Sequence, residues 1–204
     1  MDPAIVNLFL GFLLTTVLGG VLGSYLQQRA WNHQNEAHLK EEELKRSGEV
    51  CESISQLLDK RLYRMRRLYF ACQGYAQGIL AKEVLERRLQ DYDEVLYEWN
   101  DKLKLNLALI GTYFGKLAHA YLNLVYQSFK DTGSQLEEAY RTANQQPNTP
   151  FGFSDLLHQL DQLNQQVYGL GAFMMTQLRG GQVGRRAPEP LPASPSLLKK
   201  PDGS

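Results

Sequence analysis

Apolar residues form one long run near the start of the chain and then recur at spacings of three and four along most of the remaining sequence. The run covers the 23 residues from Ala4 to Leu26 and contains no charged residue. At a rise of about 1.5 Å per residue it would form a helix of about 35 Å, enough to cross a hydrocarbon core of about 30 Å. Residues 1–26 are therefore predicted to be a transmembrane anchor.

The charges around this run predict its orientation. No Lys or Arg precedes it, whereas Arg29, Lys40, Lys45 and Arg46 follow it, and positive residues favour the cytoplasmic side of a membrane. The residues at the end of the run are too large for a signal-peptide cleavage site. The sequence thus predicts a single-pass membrane protein with its amino terminus outside and its C-terminal domain in the cytoplasm.

One face of the predicted anchor carries a small or polar residue at every fourth position. Small residues allow two helices to approach closely in lipid, and an asparagine adds an interhelical hydrogen bond worth about 1 kcal/mol. This face predicts self-association, but glycine is also common in membrane helices in general, so both interpretations stay open. The transmembrane association residues are Asn7, Gly11, Thr15, Gly19 and Gly23.

The rest of the chain is predicted to be helical. Residues 27–49 are polar on nearly every side and contain acid–base pairs four residues apart, which favours a solvated helical stalk. From residue 50 to 179 the apolar spacing of three and four predicts an antiparallel helical bundle with long helices. Strand-like alternation is nearly absent, so the fold class is all-α. Residues 180–204 are rich in Pro and Gly and are predicted to be a disordered tail.

The clearest periodicity lies in residues 82–130, which predict one long helix. Gly111 and Gly115 are four apart on this helix and are interpreted as a close contact between helices rather than as a kink. Gly133 is predicted to end the helix, and Ser134 with a glutamate three residues later matches the capping box that opens a new one.

Five cations occur within eight residues of the first core helix. They would suit anionic lipid headgroups, a phosphate or an acidic partner. The following helix is rich in acidic residues, and an antiparallel hairpin turning near residues 74–78 would pair the two charged faces, which is the interpretation we favour. The candidate anionic-partner patch comprises Lys60, Arg61, Arg64, Arg66 and Arg67.

Composition and motifs narrow the function classes. The chain has 22 basic and 22 acidic residues, so its net charge of zero predicts no nucleic-acid partner. Cys51 and Cys72 lack metal-ligand spacing, and Met174 and Met175 fit a core better than a ligand site. No nucleophile elbow, phosphate-binding glycine loop or metal-binding helix motif occurs. We therefore predict no catalytic, cofactor-binding or metal-binding residues, no cofactor and no enzyme activity.

Together these features predict a membrane-anchored helical interaction protein, that is, a scaffold, sensor or recruitment module at the cytoplasmic membrane face. Its expected partners are the membrane, another protein and further copies of itself. The alternative interpretation is a membrane-perturbing effector that acts by oligomerisation of its transmembrane helix.

Overall fold

The structure, a computed structural model, describes residues 3–145 and 153–184, except for the side chains of residues 3–10, 13 and 14. It contains α1 (Pro3–Ala76), α2 (Lys82–Gln145) and α3 (Phe153–Arg179). No strand occurs among the described residues, and the prediction of an all-α chain is confirmed. The chain divides into two units, Met1–Glu43 and Leu44–Ser204.

The first unit contains the start of α1. Every residue from Gly11 to Glu42 whose burial is described is exposed. Apolar side chains such as Val17 and Leu22 are interspersed there with glycine, threonine and serine, and polar residues follow from Gln27. Among the residues that the structure describes, no helix is long and apolar enough to cross a membrane. By this finding the predicted localisation, a single-pass membrane protein with an outside amino terminus and a cytoplasmic domain, is wrong, and the transmembrane anchor is not supported.

α2 reverses its direction at Gly115. This residue has φ 79° and ψ −178°, and glycine adopts a positive φ far more readily than other residues do. The rings of Trp99 and Phe129 lie 6.3 Å apart between centroids, whereas thirty residues of straight helix would separate them by about 45 Å. α2 is therefore a helical hairpin with a first arm (82–114) and a second arm (116–145).

The hairpin accounts for two other glycines of α2. Gly111 of the first arm lies beside His119 of the second arm. The close contact predicted for Gly111 is therefore a contact between the two arms of α2. Gly133 does not end the helix but makes room for the first arm, because a Cβ atom there would lie 2.9 Å from the Tyr92 hydroxyl. Ser134 donates a hydrogen bond of 3.1 Å to the carbonyl four residues earlier instead of capping a new helix. The single straight helix predicted here and its end at Gly133 are thereby corrected.

α1 and the first arm run in opposite directions. Lys60 pairs with Glu98 at 2.6 Å and Arg64 pairs with Asp91 at 2.8 Å, so residues further along α1 meet residues earlier in α2. The turn between them holds Gly78 at φ 72°, close to the predicted position.

α3 packs against α1 and the second arm. The Tyr69 hydroxyl donates a hydrogen bond of 2.9 Å to the Phe153 carbonyl, and Arg66 pairs with Asp161 at 2.6 Å, so α1 and α3 are also antiparallel. Tyr121 of the second arm places its hydroxyl against a glycine of α3, where any side chain would collide with it. The second unit is therefore a bundle of four helical segments, and the prediction of a helical bundle is confirmed.

Large buried side chains from all four segments form the core of the bundle. Burial of each contributes roughly 1.5–3 kcal/mol before the entropy of the chain is subtracted. The largest fully buried side chains include Trp99, Tyr69, Tyr92, Phe114, Phe129, Ile54, Leu58 and Met65.

The chain turns back after α3 and is fixed against α2. Gly181 has φ 62°, Val183 is only 8% exposed, and the Gly184 N–H donates a hydrogen bond of 3.0 Å to the Tyr113 carbonyl. The tail predicted for 180–204 lies outside the described residues from Arg185 onward.

Candidate interaction site

An open groove runs between α1 and α3 on the second unit. It has a volume of about 740 Å³, and its walls include Asp59 from α1 and Tyr168, Met175 and Arg179 from α3. The inward row of α3 is buried at positions 167, 170 and 174. Tyr168, Gly171 and Met175 of the groove each lie one position after this row, on the flank of α3 that faces the groove. We call this surface the α1–α3 groove.

The wall that α3 contributes carries two large side chains that are accessible to a partner. Tyr168 is 73% exposed and Met175 is 45% exposed. Gly171 lies between them, and no atom lies within 4 Å of the position that its Cβ atom would take. Two large apolar side chains therefore flank an open length of backbone, on a surface that the core of the bundle does not use.

The two ends of the α1–α3 groove carry opposite charges. The antiparallel pairing of Arg66 with Asp161 places Asp59 opposite the region of Tyr168. Arg179 lies eleven residues further along α3, which is about 16 Å of helix. Among the residues that the structure describes, neither Asp59 nor Arg179 forms an ion pair. The groove thus has one acidic end and one basic end.

The predicted anionic-partner patch is engaged in contacts within the bundle. Lys60 and Arg64 pair with carboxylates of the first arm at 2.6 and 2.8 Å, and Arg66 pairs with a carboxylate of α3 at 2.6 Å. The Arg67 guanidinium lies 5.5 Å from the ring centroid of Tyr63. Binding of an outside anion by these residues stays a prediction.

The fifth member of the patch, Arg61, is a core residue. It is 3% exposed, and its guanidinium lies over the rings of Phe129 and Trp99. Burial lowers the pKa of Arg61, while the Tyr92 hydroxyl, which shares a hydrogen bond with it, acts in the opposite direction. Arg61 therefore faces away from any partner on the surface.

The predicted association face of the first unit is only partly described. No atom lies within 4 Å of the Cβ positions of Gly11, Gly19 and Gly23. The Thr15 hydroxyl donates a hydrogen bond of 2.6 Å to the carbonyl of Gly11, within its own helix. The side chain of Asn7 lies outside the described residues. Association through this face stays a prediction.

The groups able to support chemistry lie apart or buried. Burial raises the pKa of the Cys51 thiol and raises that of Cys72 to about 12, so neither free cysteine is a ready thiolate. His119 and His158 contact side chains one turn later on their own helices. Within 3–145 and 153–184 no three His, Cys, Asp or Glu residues are grouped to hold a metal ion. The prediction that the chain is not an enzyme stays a prediction.

Sequence reasoning missed the α1–α3 groove. Met174 is buried as predicted, but Met175, for which the sequence also predicts a core position, is largely exposed. The sequence feature that could have indicated the groove is the pair of large residues at 168 and 175. They are seven positions apart, and each follows a residue of the inward row by one position.

Comparison with known proteins gives no match. No protein-family model, no curated protein and no solved structure matches the chain.

Proposed function

We propose that this protein is a helical interaction module that binds an amphipathic helix of another protein in the α1–α3 groove. The observation that carries the proposal is the pair of exposed apolar side chains, Tyr168 and Met175, on either side of the open backbone at Gly171. Tyrosine and methionine are enriched in protein interfaces, where tyrosine often dominates the binding energy and methionine adapts to the shape of its partner.

The dimensions of the groove fit a helix. Its α3 wall extends from Asn164 to Arg179, which is about 22 Å of helix, or four turns of a bound partner. An amphipathic helix presents apolar residues at positions i, i+3 or i+4, and i+7. Such a row matches the spacing of Tyr168, Gly171 and Met175, with one partner side chain filling the space above the glycine.

The charges at the two ends select the direction of the partner helix. We expect basic residues of the partner beside Asp59 and acidic residues beside Arg179. Opposite charges at the rim of an interface speed association and disfavour the reversed orientation. The apolar residues then supply most of the affinity, and the charges supply the specificity.

Site-specific photo-crosslinking tests this proposal in cells that produce the full chain. A photoreactive amino acid replaces Tyr168, and the matched control replaces Tyr97 of α2, which is 70% exposed but lies outside the groove. We expect an adduct with another protein from position 168 and none from position 97. Met175→Asp should reduce the yield of the adduct about tenfold or more, because it replaces an apolar anchor of the groove with a charged side chain.

Three results would overturn the proposal. The first is equal crosslinking from positions 168 and 97. The second is an adduct between two copies of this chain, which would make the groove a self-association surface. The third is a crosslinked partner peptide that lacks the apolar spacing of an amphipathic helix.

A further inference from the structure

One residue separates the two arms of α2. Within Lys82–Gln145 only Gly115 has backbone angles outside the helical region, with φ 79° and ψ −178°. A rotation about the two backbone dihedrals of this residue would turn the hairpin into one continuous helix. We propose that the chain also forms a dimer with a continuous α2, in which two copies exchange the second arm together with α3.

The residues around Gly115 favour a continuous helix. The stretch 112–120 reads Thr-Tyr-Phe-Gly-Lys-Leu-Ala-His-Ala and contains no proline. Lys116, Leu117 and Ala118 follow the glycine and are strong helix formers, and a single glycine weakens a helix without necessarily ending it. The local preference of the chain and the reversal seen in the bundle therefore conflict at this position, so the packing of the arms must maintain the hairpin.

The hairpin also gives up hydrogen bonds that a continuous helix makes. Each end of a helix leaves up to four backbone groups without helical partners. At the end of the first arm, the Tyr113 carbonyl accepts a hydrogen bond of 3.0 Å from the Gly184 N–H. In a continuous α2 the same carbonyl would accept from the Leu117 N–H. The segment after α3 therefore competes with the continuous helix for this carbonyl, and its contact favours the hairpin.

An exchange between two copies preserves the contacts between the arms. The rings of Trp99 and Phe129 lie 6.3 Å apart between centroids, and Gly111 lies beside His119. In a continuous α2 these pairs would be too far apart to meet within one chain. They meet again when the second arm of another copy takes the place of the chain's own. Short hinges under strain are known to favour this kind of exchange.

A disulfide between the arms tests the proposal in the full chain. A Cβ atom at Gly111 would lie 3.9 Å from the His119 Cβ atom, a distance that suits a disulfide, and the native cysteines are buried. Chains with only Gly111→Cys and chains with only His119→Cys are unfolded together, refolded under reducing conditions at high concentration, separated by size and then oxidised. We expect a dimer fraction in which the 111–119 disulfide joins the two kinds of chain.

Two further variants should shift the amount of this dimer. Gly115→Ala should raise its association constant about 100-fold or more, because in both copies alanine disfavours the positive φ of the hairpin and favours a continuous helix. The matched control Gly48→Ala lies in α1, has no atom within 4 Å of its Cβ position and should leave the constant unchanged. Gly184→Pro removes the N–H that bonds to the Tyr113 carbonyl and should raise the constant about tenfold. Sedimentation at a series of protein concentrations measures these constants.

Other outcomes contradict the proposal. A chain that stays monomeric at every concentration does not exchange its arms. A dimer that lacks the 111–119 disulfide forms through another surface. Equal dimer formation in Gly115→Ala and Gly48→Ala would show that the hinge does not control the exchange. The crosslink is measured with the native Gly115, so it decides the proposal even if Gly115→Ala does not fold. Because positions 111 and 119 lie outside the α1–α3 groove, the result does not depend on what that groove binds.

Discussion

The guanidinium carbon of Arg61 lies 4.6 Å from the ring centroid of Phe129 and 5.7 Å from that of Trp99. The side chain is buried, and the Tyr92 hydroxyl shares a hydrogen bond with it, but its Nε and Nη1 atoms have no partner. Aromatic faces therefore hold this cation, and no carboxylate pairs with it among the described residues. A desolvated cation–π contact contributes about 2 kcal/mol to the stability of the fold. This is comparable with the cost of leaving the Arg61 Nε and Nη1 donors without partners.

We predict that Arg61→Met raises the free energy of unfolding by about 1 kcal/mol, because it removes a buried charge and keeps the volume of the side chain. Arg61→Lys should lower it by about 2 kcal/mol, since an ammonium is more strongly hydrated and lacks the planar face that covers both rings. Urea unfolding followed by circular dichroism measures both values. A loss of stability in Arg61→Met would show that the aromatic contacts outweigh the cost of burial.

The sequence was sufficient to predict a helical bundle, but not the reversal of α2 or its continuation past Gly133. Ile110, Phe114 and Ala118 are all buried, and their regular spacing continues through Gly115. Apolar periodicity reports which face of a helix is buried and carries no information on the direction of the helix axis. The reversal depends on the backbone angles of one glycine, and both straight and bent helices keep the same pattern.

We predict that Gly115→Ala lowers the free energy of unfolding by about 1–2 kcal/mol, because alanine is strained at positive φ. Gly48→Ala is the matched control: this glycine lies in α1, and no atom lies within 4 Å of its Cβ position. The control should be neutral or stabilising by up to about 1 kcal/mol. Thermal unfolding of both variants checks the prediction, and equal effects would argue against the hairpin at Gly115.

We predict that Gly133→Ala is destabilising by about 1–3 kcal/mol, because the added methyl group would lie too close to the Tyr92 hydroxyl. Tyr92→Phe removes that hydroxyl, so the cost of Gly133→Ala should be smaller in the Tyr92→Phe background. A double-mutant cycle measures this coupling. Strictly additive effects would mean that the two arms are not in contact here.

The candidate interaction groove was harder to predict than the core. Tyr168 and Met175 follow the buried residues Val167 and Met174 by one position, so the sequence shows only a wide apolar stripe. Whether the edge of such a stripe is buried depends on the space between α3 and α1. That space is set by the packing of the whole bundle, and Gly171 leaves part of it open.

Asp91 forms ion pairs with Arg64 at 2.8 Å and with Arg88 at 2.9 Å. Burial alone would raise the pKa of Asp91, but the hydrogen bond from Arg88 and the charge of Arg64 lower it overall. A carboxylate whose pKa is lower in the folded state stabilises the fold above its unfolded pKa of about 3.9, and this contribution is lost as the pH falls through the folded pKa. Asp91→Asn should therefore lower the free energy of unfolding by about 0.5–1 kcal/mol at neutral pH.

The difference in unfolding free energy between wild type and Asp91→Asn should then shrink as the pH falls below about 4. Asp101→Asn is the matched control, because Asp101 is exposed on the same arm and forms no ion pair among the described residues. Urea unfolding at a series of pH values measures both variants. A difference for Asp91→Asn that stays constant down to the lowest pH would show that its effect comes from packing, since an ion pair must weaken once the carboxylate is protonated.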